Sequence, residues 1–191
     1  SNLSDVTKSN LLTNLNTSIA TTNKKIAKAS HLIITLGTAW VYRNNETATI
    51  VGNCHKIPQK QFSKELLSTE EIAGSLRNIS TLITNVNPKV NIVFTVSPVR
   101  HVKDGFVENM QSKAHLLTAI HQLINLKELF HYFPSFEIML DDLRDYRFYN
   151  SDMLHPNETA INYIWEQFKR VWVKENVSSI LKEAASIQKG L

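Results

Sequence analysis

Apolar and polar residues alternate along this chain in two rhythms, and together they predict a mixed α/β domain. Leu11, Leu12, Leu15, Ile19 and Ile26 recur at helical spacing, so residues 7–29 read as an amphipathic helix. His31-Leu32-Ile33-Ile34-Thr35-Leu36 follows as a short, nearly continuous apolar run, the pattern of a strand buried on both faces, and stops at Gly37. Residues 38–67 hold no sustained period, and only a short hairpin around Thr47 to Val51 is expected there. Ser68 and Glu71 stand at capping-box spacing ahead of Ile72, Leu76, Ile79, Leu82 and Ile83, which mark a second helix ended by Pro88.

Asn91-Ile92-Val93-Phe94-Thr95-Val96 predicts another buried strand, closed by Ser97-Pro98. A third helix is expected over residues 108–130, with Ala114, Leu117, Ile120, Leu123 and Ile124 facing inward, and a third strand over Phe136 to Leu140. After a polar loop and Pro156, Ile161, Ile164, Trp165, Phe168 and Trp172 define a fourth helix, and residues 178–189 a short last one. Alternating helices and strands imply a three-layer α/β/α sandwich with a parallel sheet, forming one domain over residues 1–191. Only three strands are visible where a doubly wound sheet holds about five, and the chain opens on a helix. A first strand is therefore expected upstream of Ser1.

Composition narrows the class. A chain of 191 residues with 42% hydrophobic and 20% charged positions has the make-up of a globular domain. The net charge of +4 is spread along the chain, so a nucleic-acid partner is not expected. No apolar run reaches 18 residues, so no membrane association is expected either. Cys54 is the single cysteine, which rules out an internal disulfide and fits a reducing, cytoplasmic compartment.

In an open α/β sheet, functional groups collect in loops at the carboxyl ends of the strands. Those loops carry Gly37-Thr38-Ala39-Trp40, then Val51 to Lys56, then Ser97 to His101, then Asp152-Met153-Leu154-His155-Pro156. His55, His101, His155 and His131 fall at or near that edge. Asp152 and His155 are the most informative pair. A turn of that length lets the carboxylate accept the Nδ1 proton and aims Nε2 outward as a general base. The alternative is a helix-entry turn in which Asp152 or Asn157 caps free N–H groups. Ser97 lacks the flanking glycines of a nucleophile elbow and reads as structural. Cys54 and His55 are adjacent on an extended segment and point to opposite sides, so neither activates the other. Asp141, Asp142 and Asp145 lie among Arg144 and Arg147 as a self-neutralising ion-pair network, and no ligand-pair spacing supports a metal site.

The runs IITLGTAWVY, VGNCHKIP, TVSPVRHVKDGFVENMQSKAHL and YFPSFEIMLDDLRDYRFYNSDMLHP resemble the GSCFA family, a branch of the SGNH/GDSL hydrolase-like superfamily. The resemblance implies a three-layer fold, a hydrolase-like site without cofactor or metal, and Asp152 and His155 as the acid and base of a Ser-His-Asp triad. Two departures stand out. The Gly-Ser-Cys-Phe-Ala block that would carry the nucleophile is absent from these residues, and Gly-x-Asn-Asp of many relatives is here Gly37-Thr38-Ala39-Trp40.

Gly37 then reads either as an oxyanion donor or as a strand end needing an unusual backbone angle. Asn53 reads either as a replacement oxyanion donor or as an Asx-turn residue. His55, Arg100 and His101 are expected either to contact substrate or to lie in solvated loops. Superfamily analogy points to a serine ester hydrolase acting on a small-molecule or carbohydrate ester such as an O-acetyl sugar. An O-acyltransferase with the same triad and a non-catalytic binding domain are the competing functions, and the oligomeric state is left open.

Overall fold

The computed structural model describes residues 4–189. Helix α1, Lys8–Ile26, is capped by Thr7, whose hydroxyl accepts from the Asn10 N–H, and it buries none of its side chains. Strand β1, His31–Leu36, occupies the predicted span. Strands β2 (Trp40–Asn44), β3 (Ile50–Val51) and β4 (Phe62–Leu66) then pair antiparallel in the order β3-β2-β4, a small separate sheet where only a hairpin was expected. It is held to the body of the molecule by the Trp40 indole N–H donating to the Glu108 carbonyl and by the Lys64–Asp104 ion pair.

Helix α2, Thr69–Val86, starts at the anticipated capping box, with Ser68 and Glu71 each bonding the other's backbone N–H. Strand β5, Asn91–Val96, is followed by helix α3, Phe106–Ile124. Beyond it the expectation needs correcting. The third strand is β6, Phe130–Phe133, and the run beginning at Phe136 belongs to helix α4, Ser135–Asp141. Phe136 and Met139 are buried there while Leu140 is exposed, a helical rather than a strand pattern, and short apolar runs do not distinguish the two. Helix α5, Glu158–Trp172, and helix α6, Ser178–Lys189, complete the described chain.

The main sheet is parallel, in the order β1-β5-β6. On one face Leu32, Ile34, Leu36, Ile92, Phe94 and Val96 pack against α2 and α3, forming the principal core. On the other, Phe133 meets Phe168 edge to face at 5.1 Å and His131 meets Trp172 at 5.0 Å, so α5 covers β6 and β5. Met139, Leu143 and Ala160 make a smaller core between α4 and α5. Helices on both sides of a parallel sheet make the three-layer α/β/α arrangement. Strand β5, in the centre, is buried on both faces, as its sequence predicts. Strand β1 is not. It lies at the sheet edge with alternate residues exposed, and Ile33 is 54% accessible.

Candidate active site

The site begins with one turn. Asp152 divides its carboxylate: Oδ1 accepts the backbone N–H groups of Leu154 (2.8 Å) and His155 (3.0 Å), and Oδ2 lies 2.6 Å from His155 Nδ1. Met153 adopts the left-handed conformation (φ 58°), which lets the chain reverse within so few residues. The turn is closed at its base by the Asn150 N–H donating to the His155 carbonyl and by a bridge between Tyr149 and Pro156. Helix α5 is capped separately, by Asn157 Oδ1 accepting the Ala160 N–H, so Asp152 is not the helix cap.

The backbone N–H groups of His155 and Leu154, followed by the imidazole, hold the Asp152 acid down to a pKa of about 2. A carboxylate so fixed acts only as an acceptor, so the Nδ1 nitrogen carries the proton and Nε2 keeps its lone pair. The ring is half exposed, and Nε2 has no hydrogen-bond partner among the described residues. That is the posture of a general base.

Arg100 fastens this turn to the loop after β5. Its backbone N–H donates to the Leu154 carbonyl (3.1 Å) and its guanidinium to the Met153 carbonyl (3.0 Å). Phe106, Tyr146 and Tyr149 surround the guanidinium with ring centroids 5.4 to 5.8 Å away. His101 follows, its N–H bound to Asn109 Oδ1 (2.8 Å). Its Nε2 lies 3.5 Å from where a Cβ on Gly37 would stand, so the imidazole faces the end of β1. Burial, then the Lys113 ammonium, pushes the His101 pKa down from the usual histidine value, which favours the neutral ring. Gly37 has no left-handed backbone, which removes the unusual-angle reason for a glycine there.

Helix α3 supplies the residues that sequence reading missed. Asn109, Ser112 and Lys113 are buried, on a face continuing through Leu116, Ile120 and Leu123. The ammonium of Lys113 donates to the Gly37 and Ser97 carbonyls, both at 2.7 Å, clasping the carboxyl ends of β1 and β5 together. Ser112 Oγ accepts the Ala39 N–H at 2.7 Å and lies 3.0 Å from Thr38 Oγ1. The polar residues at positions 109, 112 and 113 stand in helical phase with the apolar ones. Placing Ala114 and Leu117 on the inner face hid that phase: Ala114 is exposed and Leu117 only partly buried.

Elsewhere the expected residues stand apart from the turn. Asn53 Oδ1 accepts the His55 N–H (2.8 Å), an Asx turn, and both residues are exposed in the loop after β3. Neither bonds the Asp152–His155 turn nor lines an adjacent cavity. His131 lies within β6, with Nε2 3.0 Å from Asn91 Oδ1 at the amino end of β5, so it is not at the carboxyl edge. Ser97 Oγ accepts the Val99 N–H. Arg144 pairs with Asp141 and Arg147 with Asp145. Among the described residues no cluster of His, Cys, Asp and Glu can hold a metal ion. None of the described helices is long and apolar enough to cross a membrane.

The sequence model of the GSCFA family matches residues 1–168. The chain belongs to the GSCFA family. No curated protein matches it. In this GSCFA chain the matched span takes in β1, β5, the Asp152–His155 turn and most of α5, and membership suggests a hydrolase-like function. The pairing of a fixed carboxylate with an outward imidazole beside two strand ends is chemically compatible with such a function.

Proposed function

We propose that this chain provides the acid–base half of a serine ester hydrolase that acts on a small acyl ester. One observation carries the proposal: the 2.6 Å contact between Asp152 Oδ2 and His155 Nδ1 in a half-exposed turn, with Nε2 open. In the reaction His155 Nε2 takes the proton of a seryl hydroxyl as its oxygen attacks the acyl carbonyl. The Gly37 N–H, approachable because no Cβ shields it, donates to the developing oxyanion. The imidazolium, steadied by Asp152, returns its proton to the leaving alcohol, and water then releases the acyl group by the same relay. Neutral His101, beside Gly37, completes the polar rim of the site.

On this reading the attacking serine is none of those at the strand ends, and the acid–base pair is what these 191 residues contribute. Those near the strand ends already have structural tasks: Ser97 holds Val99, Ser112 holds Ala39, and Ser135 Oγ donates to the Val96 carbonyl. The test uses the full-length protein with p-nitrophenyl butyrate. His155→Ala lowers kcat by about 10²–10⁴ without changing the melting temperature, because the ring is exposed and supports no core. Undiminished turnover in that variant refutes the assignment of the base. Turnover by residues 1–191 alone, lost on His155→Ala, refutes the assignment of the nucleophile.

A further inference from the structure

Two cavities meet at Arg100, one of them against the Asp152–His155 turn, and they differ in chemistry. The nearer, of about 430 Å³, is lined by Arg100, Val102, Phe106 and Tyr146 together with Asp152, Met153 and Leu154 of the turn itself. The farther, of about 310 Å³, runs between α3 and α4 and is walled mainly by Phe106, Met110, Phe136, Met139, Leu143 and Tyr149. Arg100, Phe106 and Tyr146 belong to both, so the two spaces share a wall. The guanidinium in that wall has the Phe106, Tyr146 and Tyr149 rings around it and is tied to the Met153 carbonyl, so its charge stands at the junction of the two cavities within a largely aromatic surround.

We propose that the farther cavity is an acyl-chain pocket, and that the ester this protein cleaves carries a medium-length aliphatic acyl group rather than acetyl. The proposal rests on the esterase reading of the Asp152–His155 turn and replaces its small acyl group with a longer one. An acetyl methyl leaves such a space nearly empty, whereas a methylene occupies about the volume of a water, ~30 Å³, so a chain of six to eight carbons fills most of it. Mostly apolar walls with a few polar groups are the usual construction of a site for a flexible aliphatic group. Of the polar lining residues besides Arg100, Arg144 and Asp145 are exposed and pair with Asp141 and Arg147, and Asn109 Oδ1 accepts the His101 N–H. The ester end of the chain then reaches past Arg100 to the turn that carries His155, whose Nε2 faces outward.

The test has two arms, both on full-length protein. In the first, kcat/KM is measured for p-nitrophenyl acetate, butyrate, hexanoate and octanoate. The expected rise is about fourfold per added methylene up to hexanoate or octanoate. Met110→Trp and Leu140→Trp, each placing an indole into the pocket from a position accessible enough to accept it, flatten that rise. In the second arm, sodium octanoate is titrated into the His155→Ala protein and followed by amide chemical shifts. Shifts centred on Met139 and Leu143, weakened at least tenfold by Met110→Trp, support the pocket without depending on catalysis. Hydrolysis that does not vary with chain length, with no octanoate binding, overturns the proposal and leaves the esterase reading standing. Octanoate binding at the pocket with no hydrolysis of any ester supports the pocket and overturns the esterase reading.

Discussion

Replacing Lys113 with Met tests whether a buried ammonium holds the strand ends together. The variant keeps the length and apolar stem of the side chain but loses both bonds, to the Gly37 and Ser97 carbonyls. Hydrogen bonds from a charged donor contribute about 1.5–3 kcal/mol each, so roughly 3–6 kcal/mol is removed. Against this stands the cost of burying the charge. Desolvation pushes the Lys113 pKa from 10.5 down to about 8, which corresponds to about 3 kcal/mol. The net loss at pH 7 is therefore roughly 0–3 kcal/mol.

The pH dependence is the sharper signature. Between pH 8 and 10.5 the folded protein has released this proton while the unfolded chain retains it, so stability rises with pH through that window. The wild type should gain on the Met variant by about 1 kcal/mol at pH 9 and by roughly 2–3 kcal/mol at pH 10. Tyr132 and Tyr149, whose phenols are pushed up chiefly by burial, act in the opposite direction near pH 10. Both proteins carry them, so the difference between the two cancels their effect. Urea unfolding of wild type and variant at pH 7, 9 and 10 measures the gap. A gap that stays constant over that range refutes the account of Lys113 as a buried, charged clasp.

The Asp152 carboxyl should titrate with a midpoint near 2, so it stays ionised as pH falls through 3.8 and any stability it confers is lost only between there and about 2. A carboxyl carbon titration by NMR with a midpoint near 4 contradicts the bonding described. Asp152→Asn should lower esterase kcat by about 10³–10⁴ with the fold intact, because an amide no longer imposes the Nδ1–H tautomer. Gly105→Ala should destabilise the protein by about 1–3 kcal/mol in urea unfolding, because φ is +122° there and an added Cβ would meet the Glu108 carboxylate. Arg100→Ala should reduce kcat/KM about tenfold to a hundredfold, and unchanged kinetics would show that the loop after β5 does not position the turn.

Where sequence alone was informative, local physics decided the outcome. The boundaries of β1 and β5 and the capping box of α2 follow from contiguous apolar runs and one hydrogen-bonding pattern, and the structure reproduces them. The reciprocal spacing of Asp152 and His155 was legible for the same reason, since a three-residue separation constrains a turn on its own. Phe136 to Leu140 fits either period, with four apolar residues in five, and only the preceding β6, rich in aromatic side chains, resolves the choice. Burial of β1 on both faces was inferred from composition, whereas its edge position is a property of strand order. Lys113 was invisible for a different reason. A lone lysine on a helix is ordinarily solvated, and its burial depends on two carbonyls 76 and 16 residues away along the chain. Asn53 is grouped with the site for its nearness in sequence to Gly37, whereas in the structure it closes an Asx turn on His55 in the loop after β3 of the smaller sheet.

Every bond that aligns Asp152 with His155 is made between residues 148 and 157. Gly37 and His101, by contrast, are held in that neighbourhood by contacts between distant parts of the chain, the Lys113 clasp and the Arg100 bonds to residues 153 and 154. Warming loosens long-range packing before it undoes contacts that chain connectivity itself enforces. Heat inactivation of this protein should thus begin as a loss of registry between an intact proton relay and the strand tips opposite it. Catalysis would then fade while the dyad's own spectroscopic fingerprint persisted, and cooling would restore it without any refolding of the relay.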